Sequence, residues 1–454
     1  MSEIETVEPD LRQLTDDANA LVAKSVKAGA DAADIVISKS RSFSITARLG
    51  QIESTDQSEN DGVSLRVFCG RRVASIATKA GRIRAEGDAL IERAIAMAKS
   101  APEDPFAQLM DTDQLADSWP DLDMFDSAHP GADALSKVAL TLEQAALDTH
   151  GITNSNGASA AFGMGGMVLV TSNGFSGAYL GTRHSRSVSV VAGTGTAMER
   201  DYDYDSRTHL SDMRSAQDIG KAAARYTLQR LNPRKVTTQS VPVLFDKRIS
   251  ASLLGHLAGA VDGAAIARGS SFLKERLGQQ IFRPGITISD NPRLPRRSGS
   301  RPFDADGLSQ GHLNLVEDGV LKSWLLDGYS ARELNLSSNG RAAAAGSGTR
   351  PSATNLWMEP GKDSPADIIS SMKTGLIVTD FIGHGANLVT GDYSRGVSGF
   401  WVENGEIAFP VSEMTLAGSL PAIFAGLIPA TDLEIKGATN APSLYLEGLT
   451  LAGR

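Results

Sequence analysis

The sequence predicts an α+β protein, in which helices and antiparallel sheets occupy separate stretches of the 454-residue chain. Three observations support this prediction. Apolar residues alternate with polar ones near the N-terminus, helical spacing recurs several times before residue 235, and strand and turn patterns dominate after it. Helices before residue 235 and strands after it indicate α+β halves and not alternating βαβ units.

The elements of the first half follow from these two periodicities. A helix is predicted where apolar residues recur at helical spacing, and a strand where every second residue is apolar. Asn173-Gly174 is a strong signal for a tight hairpin turn. In order, we predict a helix over 10–29, strands over Phe43–Leu49, Val63–Cys69 and Val73–Thr78, helices over 86–99 and 132–148, a hairpin of Met167–Thr171 and Gly177–Gly181, a strand over Ser187–Ala192, and a helix over 215–230.

Two segments of this half are predicted to be irregular. Residues 101–131 are rich in Pro, Asp and Ser and form a long connection, which Trp119 and Phe125 hold against the body of the protein. Glu199–Asp205 mixes acidic residues with tyrosines, and we interpret it as a solvated loop. Binding of calcium or of a basic peptide is the alternative.

Asn232-Pro233-Arg234-Lys235 marks the predicted boundary between two domains. The first is an α+β region over 1–235, with a second small segment from about 125, and the second is a β-rich region over 236–454. A strand at Val241–Phe245 opens the second region, and a helix of small residues is predicted over 248–267. Strands and turns are expected from there to the end.

Composition limits the class of protein. The formal net charge of −9 and the pI of about 5.4 argue against direct binding of nucleic acid, which needs a basic surface. Cys69 is the only cysteine, so neither an internal disulfide nor a cysteine-rich zinc site can form. Its place on the apolar alternation predicts a buried structural thiol, with a reactive thiol as the alternative. We recognise neither a signal peptide nor a membrane span and expect a cytoplasmic protein.

A series of short sequence words follows in a fixed order through the second half. The words are Leu231-Asn-Pro-Arg-Lys235, Pro242-Val-Leu-Phe-Asp246, Gly255-His256-Leu257, Asp327-Gly-Tyr-Ser-Ala-Arg332, Thr354-Asn-Leu-Trp357, Glu359-Pro-Gly361, Gly391-Asp-Tyr-Ser394, Gly399-Phe-Trp-Val-Glu-Asn-Gly405 and Glu413-Met-Thr-Leu-Ala-Gly418. No single word is diagnostic, but their order resembles the TldD/PmbA family, once named modulators of DNA gyrase, and within it the PmbA/TldE branch. The N-terminal meander also fits, so the resemblance covers nearly the whole chain.

The resemblance implies proteolysis of peptides or unfolded segments by a two-subunit assembly. Its TldD-like subunit holds zinc through the two histidines of a His-Glu-x-x-x-His helix and a cysteine near the C-terminus, and the glutamate activates water. This chain departs from that pattern. His256 is the only histidine of the corresponding stretch, no glutamate lies between Phe245 and Lys274, and the segment Thr439–Thr450 has no cysteine. We therefore predict no metal, no cofactor and no catalytic residue in this chain, and expect zinc in the partner subunit.

The candidate substrate-binding residues lie on the small-residue helix and in the glycine-rich segment Gly383–Gly396. Glycines let another backbone approach closely, and the polar side chains between them can hold a peptide. A glycine-rich set of turns is the alternative for the segment, and a packed helix histidine or a relic ligand is the alternative for the helix. The candidates are His256, Asn387, Asp392, Tyr393, Ser394 and Arg395.

Three further features were considered as sites. A metal site of His256, His312, His384 and Asp392 has no support from spacing, because no two of the histidines form an i, i+4 pair. Gly340–Gly348 lacks the Gly-Lys-Ser/Thr of a phosphate-binding loop, so we predict a flexible loop near a cleft. Arg293–Arg301 is interpreted as an exposed basic loop, with contact to an acidic partner as the alternative.

These observations favour a non-catalytic subunit that aligns extended peptide for a TldD-like zinc peptidase. The alternative is a stand-alone homodimer that binds peptides or proteins, to which the historical link with gyrase belongs. A third possibility is an independent hydrolase with a remodelled metal site.

Overall fold

The computed structural model describes residues 10–346 and 348–453. It confirms the predicted α+β fold. The first half contains helices α1 (Leu11–Lys27), α2 (Ile83–Ser100), α3 (Ala132–Leu147) and α4 (Ala216–Gln229), and strands β1 (Ala32–Arg48), β2 (Gln51–Cys69), β3 (Arg72–Thr78), β4 (Ile152–Thr171), β5 (Ser176–Ala192) and β6 (Glu199–Arg207).

The second half contains shorter elements. Its helices are α5 (Lys247–Ala260), α6 (Gly263–Ala267), α7 (Gly328–Glu333), α8 (Pro365–Ser371) and α9 (Leu420–Gly426). Its strands are β7 (Gln239–Phe245), β8 (Ile288–Asp290), β9 (Leu313–Glu317), β10 (Val320–Leu321), β11 (Ala342–Ala345), β12 (Gly348–Pro351), β13 (Leu356–Met358), β14 (Thr374–Ile382), β15 (Asp392–Glu403), β16 (Glu406–Ser419), β17 (Ile428–Pro429), β18 (Thr439–Asn440) and β19 (Leu444–Ala452).

The six strands of the first half form one antiparallel sheet in the order β3-β2-β1-β4-β5-β6. Side chains alternate between the faces of a strand, so Ile35 and Ile45 of β1 point to the same side. Helices α1 and α2 pack on one end of that face, around Ile35, and α3 packs on the other end, around Ile45. The opposite face of β1 carries Val36 and Ser38 and lies towards the second half.

Five strands of the second half close into a ring, because β16 pairs with β19 as well as with β15. Strands β14 and β7 lie between β15 and β19 in this ring, and they pair in parallel with each other. A separate sheet has the order β10-β9-β8-β13-β18. Helix α5 packs against both, because its buried Leu253 and Leu257 share one apolar core with Val243 and Val378 of the ring and Leu356 of the sheet. This packing fixes the position of His256.

The prediction of one continuous helix over 248–267 is wrong. The segment is two helices, because α5 ends at Ala260 and Asp262 caps a new helix, accepting the N–H of Ala265 at 2.9 Å. The short helices α7, α8 and α9 also occur in the stretch where strands and turns were expected to dominate.

The prediction that Glu199–Asp205 is a solvated loop is wrong. The segment belongs to β6, where Asp201, Asp203 and Asp205 are buried and face arginine side chains. The aspartates occupy every second position and share one face, as a strand requires.

The prediction that Gly340–Gly348 is a flexible loop is also wrong. The segment contributes to the antiparallel hairpin of β11 and β12, although residue 347 lies outside the described residues. Arg341 is fully buried, and its Nε donates to Asp290 at 2.5 Å.

Three smaller expectations have mixed outcomes. Cys69 is half-buried at the end of β2, so the prediction of a buried thiol is wrong in degree. Trp119 does hold the long connection, with ring centroids 4.7 Å from Phe303 and 5.6 Å from Phe175. Arg293–Arg301 is a loop, and its Arg296 donates to Asp123 at 2.5 Å.

No helix in the described parts of the chain is long and apolar enough to cross a membrane.

Candidate functional site

The candidate site lies where one face of α5 meets the loop between β14 and β15. Helix α5 starts at Asp246, whose carboxylate accepts the N–H of Arg248 at 2.8 Å and so caps the helix. At Gly259 an added Cβ would lie only 2.7 Å from Leu388, so the absence of a side chain lets the loop rest on the helix. His256 lies one turn earlier on the same face.

His256 is half-buried against Tyr393, with ring centroids 6.0 Å apart at an angle of 71°. Among the described residues, its Nε2 has no hydrogen-bond partner, and neither does Ser252 Oγ or Tyr393 Oη. Burial lowers the pKa of His256, and the positive charge of Arg395 lowers it further. The imidazole is therefore neutral at pH 7.

Tyr393 and Arg395 define the side of the site that belongs to β15. Tyr393 is 2% exposed, and burial raises its pKa to about 12. The guanidinium of Arg395 lies 4.1 Å from the ring centroid of Phe381, and its Nε donates to the carbonyl of Gly383 at 3.1 Å. The nearby positive charge of Arg395 acts against burial and lowers the pKa of Tyr393, although the two side chains do not meet in hydrogen-bond geometry.

The loop side chains of the site are exposed and are held by local hydrogen bonds. Asn387 Oδ1 accepts the N–H of Val389 at 2.9 Å, and Thr390 donates its hydroxyl to Asp392 at 2.6 Å. Asn387, Asp392 and Ser394 are all exposed. The structure brings His256, Tyr393 and Arg395 together where α5 meets β15, while Asn387, Asp392 and Ser394 are exposed on the loop and on the other face of the strand.

The residues at this junction do not fit a zinc ion. When His256 takes the place of the second histidine in His-Glu-x-x-x-His, Ala251 stands at the first histidine and Ser252 at the glutamate. The charged group that faces His256 is Arg395, and a cation repels a divalent metal. No step of the chemistry is therefore assigned to a metal in this chain.

The other histidines of the second half do not join His256. His312 Nε2 lies 2.9 Å from Asn314 Oδ1 and its ring packs on Trp357, while His384 is exposed in the loop. Within residues 10–346 and 348–453, no three His, Cys, Asp or Glu side chains are arranged to hold a metal ion. His256, His312, His384 and Asp392 therefore do not form a metal site.

An ion-pair network beside the start of α5 was not predicted from the sequence. Arg248 donates to Asp201 of β6 at 2.7 Å, which raises the pKa of that arginine. Arg230 lies 3.5 Å from the same carboxylate and 3.4 Å from Asp380 of β14. The period-two spacing of the aspartates in β6 was the signal that could have revealed it.

Models of one family match nearly all of the chain. They are the PmbA/TldA metallopeptidase domain 1 over residues 33–98, the central domain over 125–231 and the C-terminal domain over 238–453. Metalloprotease PmbA of Escherichia coli O157:H7 is 35% identical over 446 residues, which cover 98% of this chain and 97% of that protein.

Solved structures give the same result. A proposed modulator of DNA gyrase from Bacteroides thetaiotaomicron superposes with a TM-score of 0.88 at 27% identity, covering 99% of this chain and 100% of that one. TldE from Thermococcus kodakarensis shares the fold, with a TM-score of 0.85 at 20% identity and coverage of 96% and 100%. The chain belongs to the PmbA/TldD family, in its PmbA/TldE branch.

Proposed function

We propose that this chain is a non-catalytic subunit that aligns extended peptide for a TldD-like zinc peptidase. The observation that carries the proposal is the helix face at His256. It presents Ala251 and Ser252 where the zinc motif has a ligand and a general base, and it faces Arg395. A serine hydroxyl cannot take a proton from water as a carboxylate does.

The same junction supplies the proposed contacts to peptide. Asn387, Asp392 and Ser394 offer exposed polar groups, and Arg395 supplies a cation on the face of β15 that carries Tyr393. His256 and Tyr393 lie behind this surface and support it. The chain needs no cofactor of its own in this proposal, and the zinc belongs to the partner.

The proposal also covers where the chain works and which partners it avoids. The acidic net charge of −9 supports a protein that contacts neither nucleic acid nor an anionic membrane surface. We propose that the chain works in the cytoplasm with peptides and unfolded segments as substrates.

The test is a cleavage assay with the two chains separate and mixed. The partner is the TldD-like chain of the same genome, and the probe is casein, which is unfolded without further treatment. We expect the mixture to cleave at least about tenfold faster than the partner alone. This chain alone should be inactive and, purified without added metal, should hold almost no zinc by elemental mass spectrometry.

Each other outcome contradicts the proposal. Equal cleavage by the partner alone removes the need for this chain and favours the alternative, a stand-alone homodimer that binds peptides. About one zinc per chain, with activity that a chelator abolishes, would establish an independent hydrolase. Albumin in place of this chain is the control for non-specific stabilisation of the partner.

A further inference from the structure

A groove crosses the helix-free face of the first sheet beneath the hairpin of β11 and β12. It consists of two cavities of about 320 Å³ and 360 Å³, and Ser38, Ala305 and Ala344 border both of them. The first cavity lies over β2 and the second over β4. We call the two cavities together the hairpin groove. Each has the size of a site that holds a small ligand or a few residues of a peptide.

Much of the wall of the hairpin groove consists of residues with short side chains. The sheet contributes Gly62 and Ser64 to the first cavity and Gly165 and Gly166 to the second, and the hairpin contributes the run Ala342–Ala345. Arg66 also borders the first cavity, and Lys39, Tyr179 and Arg301 border the second. Another backbone can approach closely where the wall consists of glycine, alanine and serine. The shape therefore suits an extended chain.

Both outer edges of the hairpin border the groove. Strands β11 and β12 pair only with each other among the described residues. Ser352 donates its N–H to the carbonyl of Arg341 at 2.8 Å. Because hydrogen-bonded pairs alternate in an antiparallel ladder, this bond turns the backbone groups of Ala342, Ala344 and Thr349 outward.

Some of these outward backbone groups already have hydrogen-bond partners, and others have none. Asp304 accepts the N–H of Ala342 at 3.0 Å, and Ala305 donates to its carbonyl at 3.1 Å. The N–H and C=O groups of Ala344 and Thr349 have no partner among the described residues. Thr349 borders the first cavity, so its backbone can pair with a strand placed there.

The hairpin is held in place before any peptide arrives. Ser64 of β2 donates its hydroxyl to the carbonyl of Gly346 at 2.9 Å, and Thr349 donates its hydroxyl to Asp327 at 2.9 Å. A strand edge that is already rigid loses little conformational freedom on binding.

Charge at the floor of the first cavity is balanced. Asp34 is 4% exposed and accepts hydrogen bonds from two nitrogens of Arg66. An ion pair closed on itself offers no unpaired charge to a ligand. The first cavity therefore favours a main chain with small uncharged side chains over a charged group.

We propose that an extended peptide segment with small uncharged side chains binds in the first cavity and pairs through its main chain with the β12 edge at Thr349. This proposal deepens the proposed function and rests on it for the class of substrate. It adds a binding place separate from the junction at His256.

Gly62 offers a direct test. A Cβ added there would meet no atom closer than 3.9 Å, so a valine fits the strand while filling the cavity. Gly163→Val is the matched control, because it lies in β4 opposite Ser42, on the same face of the sheet, and borders neither cavity. Its added Cβ would make ordinary contacts at 3.5 Å.

The probe is a fluorescein-labelled dodecapeptide of alternating Ser and Ala, titrated with the full chain and followed by fluorescence anisotropy. We expect Gly62→Val to weaken binding at least about tenfold and Gly163→Val to change it less than about twofold. Hydrogen exchange should show that the peptide protects the amide of Thr349. Equal affinity of the two variants, no binding by the natural chain, or no protection at Thr349 would overturn the proposal.

The cleavage assay separates this proposal from the proposed function. If the mixture needs this chain but Gly62→Val supports cleavage and binds peptide as the natural chain does, only the groove is wrong. If the mixture does not need this chain, the proposed function fails, while the peptide titration still decides the groove.

Discussion

His256 and Asp306 are titratable residues whose surroundings set their charge. Burial and Arg395 lower the pKa of His256. Burial and the neighbouring Asp304 raise the pKa of Asp306 to about 7. Asp306 accepts the N–H of Gly328 at 2.7 Å, a bond that its neutral form can also accept.

Asp306→Asn tests this raised pKa at the residue scale. A carboxyl whose pKa is higher in the folded state contributes stability below its unfolded pKa of 3.8, and that stability is lost as pH rises through about 7. Asparagine carries no proton to lose. We expect the natural chain to lose on the order of 3 kcal/mol relative to Asp306→Asn between pH 4 and pH 8, measured by urea unfolding.

The control for that measurement is Asp363→Asn. Asp363 is exposed, so its substitution should shift the unfolding free energy equally at both pH values. A difference between the natural chain and Asp306→Asn that does not change with pH would show that Asp306 is ionised in the folded protein.

At the scale of elements, a buried ion pair anchors the start of the hairpin of β11 and β12. Arg341 donates to Asp290 at 2.5 Å and to the carbonyl of Gly311 at 2.9 Å. Asp290 also accepts the N–H and the hydroxyl of Thr354, each at 2.6 Å. Both charged side chains have no exposed surface. The pair thereby ties β11 to β8 and to the segment before β13.

Asp290→Ala is therefore expected to destabilise the chain by about 3–5 kcal/mol, because it leaves a buried guanidinium without its carboxylate. Asp88→Ala is the matched control. Its carboxylate pairs with Lys24 at 2.8 Å but is 79% exposed, so its loss should cost less than about 1 kcal/mol. Similar losses in urea unfolding would show that burial does not govern these pairs.

On the scale of the whole molecule, β6 joins the two halves. Asp201 of the first half binds Arg248 of the second, and Arg230 of the first half lies 3.4 Å from Asp380 of the second. Arg207 donates to the carbonyl of Ile435 at 2.8 Å, which adds a further bond across the boundary. These contacts hold α5, and with it His256, against the first sheet.

Asp201→Ala removes the carboxylate that Arg230 and Arg248 share. We expect a loss of about 3 kcal/mol in urea unfolding, because both arginines are at least 86% buried and lose a charged partner. Tyr202→Phe on the same strand should stay within about 0.5 kcal/mol. Asp201→Ala unfolding like the natural chain would mean that this shared carboxylate does not stabilise the contact between the halves.

Sequence alone determined the fold class, the four long helices of the first half and the absence of a His-Glu-x-x-x-His motif. Each follows from local patterns, since periodicity reports which face is buried and a motif consists of residues close in the chain. The candidate site was predictable only as a set of residues. That His256 faces Tyr393 and Arg395 depends on how α5 packs against β15.

Tertiary structure decided the features in which residues distant in sequence neutralise or enclose one another. Asp201 and Asp203 look like surface residues until Arg248 and Arg214, which lie outside the strand, reach them. Arg341 looks like part of a polar loop until Asp290, 51 residues away, accepts its hydrogen bond. The hairpin groove has no signature in sequence, because its walls come from β1, β2 and β4 on one side and from β11 and β12 on the other. Burial of a charge depends on partners that only the folded chain brings together, and a local pattern cannot contain them.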